Sequence, residues 1–226
     1  CADNANGVTG ATGDIHDSNI HDNYFGMYSY QAYGIWAKNN KMHNNYLYGF
    51  DPHDNSDFFI FEGNEVYDNG KHGIIFSRWC EKNIIRNNVV YNSASHGIML
   101  DRRTNRNYIL NNTLYNNKDA IAIFQSTDNV IAGNNIYNNL TGLRINSTPV
   151  PPTNGVPDRT PDQPSVRNQV LNNTFKDNQN YGIYFYNRAD SNVIKGNTIT
   201  GNGRYDSDPT IVAYGSGVQV KTGGNT

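Results

Sequence analysis

The chain has 226 residues, enough for one domain with a sizeable core, but 36% hydrophobic content alongside 38 asparagines and 21 glycines is an odd mixture for an ordinary globule. A formal net charge of −2 argues against general binding to a polyanion, although net charge says little about a local patch, and no apolar run approaches the length of a membrane span. Helix formers are scarce, and abundant Asn, Gly, Tyr, Ile and Val favour short strands joined by tight turns.

In chain order, residues 14–36 carry the weakest pattern. Asn19-Ile20-His21-Asp22-Asn23 resembles a turn of a coil, and Tyr24, Tyr28, Tyr30 and Tyr33 crowd the next ten residues, either to stack on sugar rings or to close the end of the coil. A repeat then sets in. Asn64-Glu65-Val66-Tyr67, Asn88-Val89-Val90-Tyr91, Asn112-Thr113-Leu114-Tyr115 and Asn135-Ile136-Tyr137 succeed one another at steps of 24, 24 and 23 residues. Each runs into an apolar strand of period two: Gly73-Ile74-Ile75-Phe76, Gly97-Ile98-Met99-Leu100, Ala120-Ile121-Ala122-Ile123 and Gly142-Leu143-Arg144-Ile145. Asn173 and Asn197 continue the series. A leucine-rich repeat lacks its leucine framework here, so the fold class expected is all-β, a single-stranded right-handed parallel β-helix of about seven to eight coils forming one domain over residues 1–226. Asn40, Asn64, Asn88, Asn112, Asn135, Asn173 and Asn197 are expected to form an amide ladder.

Residues 146–165 break the period and hold Pro149, Pro151, Pro152, Pro157, Pro161 and Pro164, too many for a strand inside a sheet. This is an excursion from the coil. A weaker one is expected over residues 204–213.

The register places Tyr48, His72 and His96 in one column, Asp51 beside Ile75 and Met99, and His53 beside Ser77 and Asp101. With Phe50, Ile74 and Ile98 inward, Asp51 and His53 face outward, and Tyr48 and His96 lie about 10 Å apart along the axis. An outward row of Tyr48, Asp51, His53, His72 and His96 is hard to explain as packing. Histidine exchanges protons near neutral pH, and a tyrosine near cations becomes an acid or base as its pKa falls. Seven cations between Lys71 and Arg106 (Lys71, Arg78, Lys82, Arg86, Arg102, Arg103 and Arg106) surround the two later His-Gly pairs. A zinc site needs three or four converging ligands, whereas His53, His72 and His96 come from three coils, so no metal is expected.

Tyr48-Gly49-Phe50-Asp51-Pro52-His53-Asp54, with His72-Gly73-Ile74-Ile75-Phe76-Ser77-Arg78 and His96-Gly97-Ile98-Met99-Leu100-Asp101-Arg102, resembles the mannuronan C5-epimerases, which convert β-D-mannuronate to α-L-guluronate within alginate. The match is close over residues 40–145 and continues as coil pattern to about residue 200. The resemblance implies that the partner is an anionic polysaccharide, alginate or polymannuronate, with no nucleic acid. It implies that Tyr48 and His53 are the acid/base pair, that Asp51 arranges and helps protonate the site, and that His96 is a further active-site histidine. Lys71, His72, Arg78, Asp101 and Arg102 are the substrate-binding candidates, the arginines because guanidinium pairs with planar carboxylates. His72 stands where some relatives carry an acid. No cofactor is implied, and no glycine-aspartate nonapeptide repeat supports calcium.

The family's helix has more coils and an N-terminal cap, so N-terminal coils are expected to be missing here or supplied by another chain. Two other functions share these residues: an alginate lyase, which begins with the same proton abstraction, and a non-catalytic carbohydrate-binding or structural β-helix. A hydrolase would need two outward carboxylates at a suitable separation, and Asp51 and Asp101 lie on different coils. The sequence does not begin with Met and shows no leader, and Asn111, Asn139, Asn146 and Asn172 open glycosylation sequons, so a processed, secreted or periplasmic glycoprotein is expected. Cys1 and Cys80 fit either a disulfide or free thiols.

Overall fold

The computed structural model describes residues 4, 6–9, 12–148, 161–203 and 216–221, and every regular element among them is a strand. The chain visits three parallel sheets in rotation. One sheet has nine strands, and all but the first of these are six residues long; the second and third have eight short strands each. A representative coil runs through Ile60–Glu62 in the second sheet, Glu65–Tyr67 in the third and His72–Ser77 in the long-strand sheet. The result is a parallel β-helix, as the repeat predicts.

Register is residue for residue. Ile74 lies opposite Phe50 and Ile98, Ile85 opposite Phe61 and Ile109, and Val90 opposite Val66 and Leu114. These side chains point into the cylinder and are fully buried. Phe50, Ile74, Ile98, Ile121, Leu143 and Ile183 form one continuous inner column, each residue stabilising the fold by roughly 1.5–3 kcal/mol. A slip of one residue would turn every one of them outward, which is why the period-two strands fix the register.

The corners between sheets hold three asparagine ladders where the sequence suggests one. Asn40, Asn64, Asn88, Asn112, Asn134, Asn173 and Asn197 make the first. Asn64 shows the pattern: its amide donates to Asn88 Oδ1 at 3.0 Å and to the Ala37 carbonyl at 2.9 Å, while its backbone N–H also donates to Asn88 Oδ1 at 2.8 Å. Asn83, Asn107, Asn129, Asn168 and Asn192 form a second ladder. A third runs through Asn23, Asn45 and Asn69, meets Ser93, and resumes at Asn117, Asn139, Asn178 and Asn202. Asn134, not Asn135, is the rung after Asn112, because that coil is 22 residues long rather than 23; Asn135 opens the next strand and is exposed. The sequon asparagine Asn139 is a rung, its amide committed to Leu114, Tyr137 and Asn178, so glycosylation there would break the ladder.

The glycines beside the outward aromatic column are dictated by the close approach of adjacent coils. A Cβ on Gly73 would lie 2.7 Å from the Gly97 carbonyl oxygen, and one on Gly97 would lie 2.7 Å from that of Ala120. Most of the proline-rich excursion (149–160), the stretch 204–213 and Cys1 lie outside the described residues. The returning limb is tied to the coil: Arg103 Nε donates to the Pro161 carbonyl at 2.9 Å, and Gln163 Nε2 to Asn105 Oδ1 at 2.7 Å. Cys80 is a free, buried thiol.

Candidate active site

The outer face of the long-strand sheet carries the candidate residues. The strand Tyr48–His53 supplies Tyr48, Asp51 and His53, and the preceding strand Phe25–Tyr30 places Phe25, Tyr28 and Tyr30 directly opposite them. A cavity of about 450 Å³ is lined by Asn6, Phe25, Tyr28, Tyr48, Asp51 and His53. On its other side the strands His72–Ser77 and His96–Asp101 are each followed by a left-handed residue, Arg78 (φ 61°) and Arg102 (φ 53°), as other long strands are at Gln31, Asp54, Gln125 and Asn187. The turn thus places the two arginines whose charges act on Asp51.

Although the three reacting candidates face away from the core, they are not on open surface. Asp51 is only 3% exposed, and its Oδ1 is buried with no hydrogen-bond partner. Burial pushes its carboxyl up from 3.8 to about 7, against the opposing pull of Arg102 and Arg78. Burial also holds the His53 imidazole below its usual 6.5; the Asp54 carboxylate, whose Oδ1 lies 3.2 Å from His53 Nδ1, opposes that shift. Tyr48 is raised above 10, first by burial and then by Asp51 and Asp101. The sequence suggests a tyrosine depressed by cations. Instead burial favours the protonated phenol of Tyr48 and the neutral imidazole of His53, a donor and an acceptor on a single strand.

The column from Tyr48 to His96 is filled rather than open. The rings of Tyr48 and His72 stack at 5.0 Å and those of His72 and His96 at 4.9 Å, leaving no room for a sugar between them. His72 is 5% exposed, and burial presses its pKa down to about 2. Its Nδ1 accepts the His96 backbone N–H at 3.3 Å, so the ring is a neutral spacer against which Tyr48 rests. Lys71 Nζ lies 5.7 Å from the Tyr48 ring centre. Asp101 is buried and held by Arg102, whose Nε donates to Oδ2 at 2.6 Å. Of the remaining cations noted in the sequence, Arg86 pairs with Glu62, Arg106 pairs with Glu81, and Lys82 lies over Phe58. They belong to another face.

Tyr28, one of the tyrosines noted in the sequence, walls the cavity, and Asp54, at the end of the motif, touches His53. One residue that builds this face is not singled out by the sequence. Asp119 is fully buried between His96 Nδ1 at 3.0 Å and Arg144 at 3.1 Å. Register alone would have found Asp119, because it comes after Tyr48, His72 and His96 in the same column. A small apolar cluster of Ile75, Met99 and Ala122, covered by Tyr48 and Phe124, floors the face outside the main core. Among the described residues no group of His, Cys, Asp or Glu is arranged to hold a metal ion.

Known proteins are similar to this chain in sequence and in fold. Mannuronan C5-epimerase AlgG of Azotobacter vinelandii is 37% identical over 201 residues, covering 85% of this chain and 37% of that protein. The mannuronan C5-epimerase of Pseudomonas putida is 37% identical over 140 residues, 61% of this chain and 27% of that protein. The crystal structure of the periplasmic alginate epimerase AlgG superposes with a TM-score of 0.70 at 25% identity, over 83% of this chain and 50% of that one. This chain therefore spans well under half the length of the two curated relatives it matches. The profile described as "Right handed beta helix region" matches residues 2–114 and 75–226. Its overlapping matches run through the ladders and sheets just described, and the chain belongs to the right-handed β-helix family.

Proposed function

We propose that this protein is a mannuronan C5-epimerase, converting β-D-mannuronate to α-L-guluronate within alginate. The observation that carries the reading is the pairing, on one strand, of a neutral imidazole at His53 and a protonated phenol at Tyr48 on either side of Asp51, with Arg78 and Arg102 acting on the same point. Epimerisation requires those elements. The neutral His53 imidazole takes the C5 proton, and the electron pair left behind delocalises onto the adjacent uronate carboxylate. Arg78 and Arg102 stabilise that growing charge beside the buried Asp51, where electrostatic help is stronger than in open solvent. Tyr48 gives its proton to C5 from the opposite face, and the pair is reset when His53 releases the abstracted proton to solvent and Tyr48 regains one from it. Asp51, poised to titrate near neutral pH, orients the uronate and supports the reprotonation.

Lys71 and Asp101 complete the binding side, Lys71 as a cation beside the Tyr48 ring and Asp101 as the carboxylate that fixes Arg102. His72 serves as a packing spacer behind Tyr48 rather than as a cation. No cofactor takes part in this scheme. The likeness to a periplasmic epimerase supports a location in the periplasm or outside the cell. The test is proton NMR of polymannuronate incubated with the protein, alongside ultraviolet absorbance for an unsaturated uronate. New guluronate signals without absorbance support epimerisation. Absorbance makes the protein a lyase, and neither signal from folded protein leaves a binding or structural β-helix.

A further inference from the structure

Along the outer face away from the reacting strand, the column that begins at Asp51 passes through Ile75, Met99 and Ala122 and then reaches Arg144 and Tyr184. For three coils the column carries no charge. Arg144 ends that apolar run, its side chain 28% exposed and its guanidinium 5.8 Å from the centre of the Tyr184 ring. Tyr184 in turn stacks on Tyr181 at 4.7 Å and on Tyr186 at 6.0 Å. All three tyrosines come from one strand, Tyr181–Tyr186, and occupy the three positions across the face that Phe25, Tyr28 and Tyr30 occupy at the other end. Two aromatic rows thus bracket the face, with the reacting strand next to one and Arg144 next to the other.

We propose that Arg144, seated on Tyr184, is a distal subsite for a uronate carboxylate, about four coil steps or ~19 Å from Asp51. The inference rests on the alginate reading above. Asp119 holds Arg144 from below at 3.1 Å, fully buried, so the guanidinium is fixed in place while part of it stays open to the groove. A planar guanidinium offers a carboxylate two parallel donors, and the tyrosine row offers flat apolar surface to the sugar ring carrying it. Between the two charged places the Ile75, Met99 and Ala122 floor requires no ion pair. Mannuronate chains long enough to bridge from Asp51 to Arg144 therefore gain a contact that short ones lack.

The experiment is isothermal titration of mannuronate oligomers of increasing length into the His53→Ala protein, which prevents turnover during binding, with and without Arg144→Ala. Affinity should rise with length until the chain reaches Arg144 and then level off. Adding Arg144→Ala should remove about fivefold from the long oligomers alone, the size of a partly exposed ion pair, with partial recovery in Arg144→Lys. Tyr184→Leu, which leaves the Asp119 contact in place, should weaken the long oligomers in the same selective way. Equal losses for short and long oligomers would show that Arg144 serves only as the counter-ion of Asp119, and an unchanged length dependence would likewise overturn the subsite. In both cases the epimerase reading stands. No binding at any length by folded protein would overturn both.

Discussion

Replacing Asp51 by Asn should stabilise the fold at alkaline pH while removing activity. In the native protein burial raises this carboxyl from 3.8 to about 7, so keeping it ionised above pH 7 costs about 4 kcal/mol relative to the unfolded chain. The sign comes from linkage: the folded state binds this proton more tightly, so the Asp51 contribution is most favourable below pH 3.8 and is lost as pH rises through about 7. Asn carries no charge, yet it brings an N–H into a place where Oδ1 already lacks a partner, which takes back about 1–3 kcal/mol. A net gain of about 1–3 kcal/mol at pH 8 corresponds to a rise of a few degrees in Tm for a chain of this length. Thermal unfolding of both proteins from pH 5 to pH 8, monitored by circular dichroism, measures it. The advantage of Asp51→Asn should grow from pH 5 to about pH 7 and level off above it. A constant difference, or one that shrinks as pH rises, would refute a buried carboxylate held against its solvation preference.

Other outcomes rest on the same geometry. His53→Ala and Tyr48→Phe should each lower the guluronate-forming rate by at least about 10²-fold with an unchanged circular dichroism spectrum, and near-native turnover in either variant would remove that residue from the chemistry. The His53 ring should titrate by NMR with a midpoint below 6.5, and Asp54→Asn should move it further down, because the Asp54 carboxylate opposes the shift; a midpoint above 6.5 contradicts this. Asn112→Ala should cost about 3 kcal/mol by stranding the Ile85 carbonyl and its ladder neighbours, whereas Asn135→Ala should stay within about 0.5 kcal/mol; equal effects in denaturant titrations would undo the ladder assignment. Gly97→Ala should destabilise by about 1–3 kcal/mol, since its Cβ meets the Ala120 carbonyl oxygen, and unchanged stability would mean the coils separate at little cost.

The cylinder is legible in the sequence because its signals repeat. Ile74, Ile98 and Ile121 recur at the spacing of a coil, and the polar residue turning each corner recurs with them. The rung at Asn134 is misplaced by one position because two adjacent asparagines satisfy the same pattern, and only the 22-residue coil length separates them. Two further ladders are hidden: Ser93 interrupts the one through Asn45 and Asn69, and among 38 asparagines the rungs of the other, such as Asn83, do not stand out. In the site, the motif strand and its two arginines are readable from residue type, whereas the environment is not. That Asp51 lies in a nearly dry place, that Tyr48 is raised instead of lowered, and that His72 is a buried ring all depend on what covers them. Phe25 and Tyr28 come from the stretch with the poorest repeat, so sequence periodicity could not set them beside Asp51.

The apolar run of Ile75, Met99 and Ala122 between the reacting strand and Arg144 has a consequence for how such a protein changes over generations. Each of those positions belongs to a separate coil with the same backbone pairing, and none is charged. Duplicating or deleting one such coil would move the far arginine by a single strand spacing while leaving Tyr48, Asp51 and His53 on their own strand. On the proposed reading, reach along a polymer and chemistry at one sugar would be separable quantities, one set by how many turns are stacked and the other by six consecutive residues.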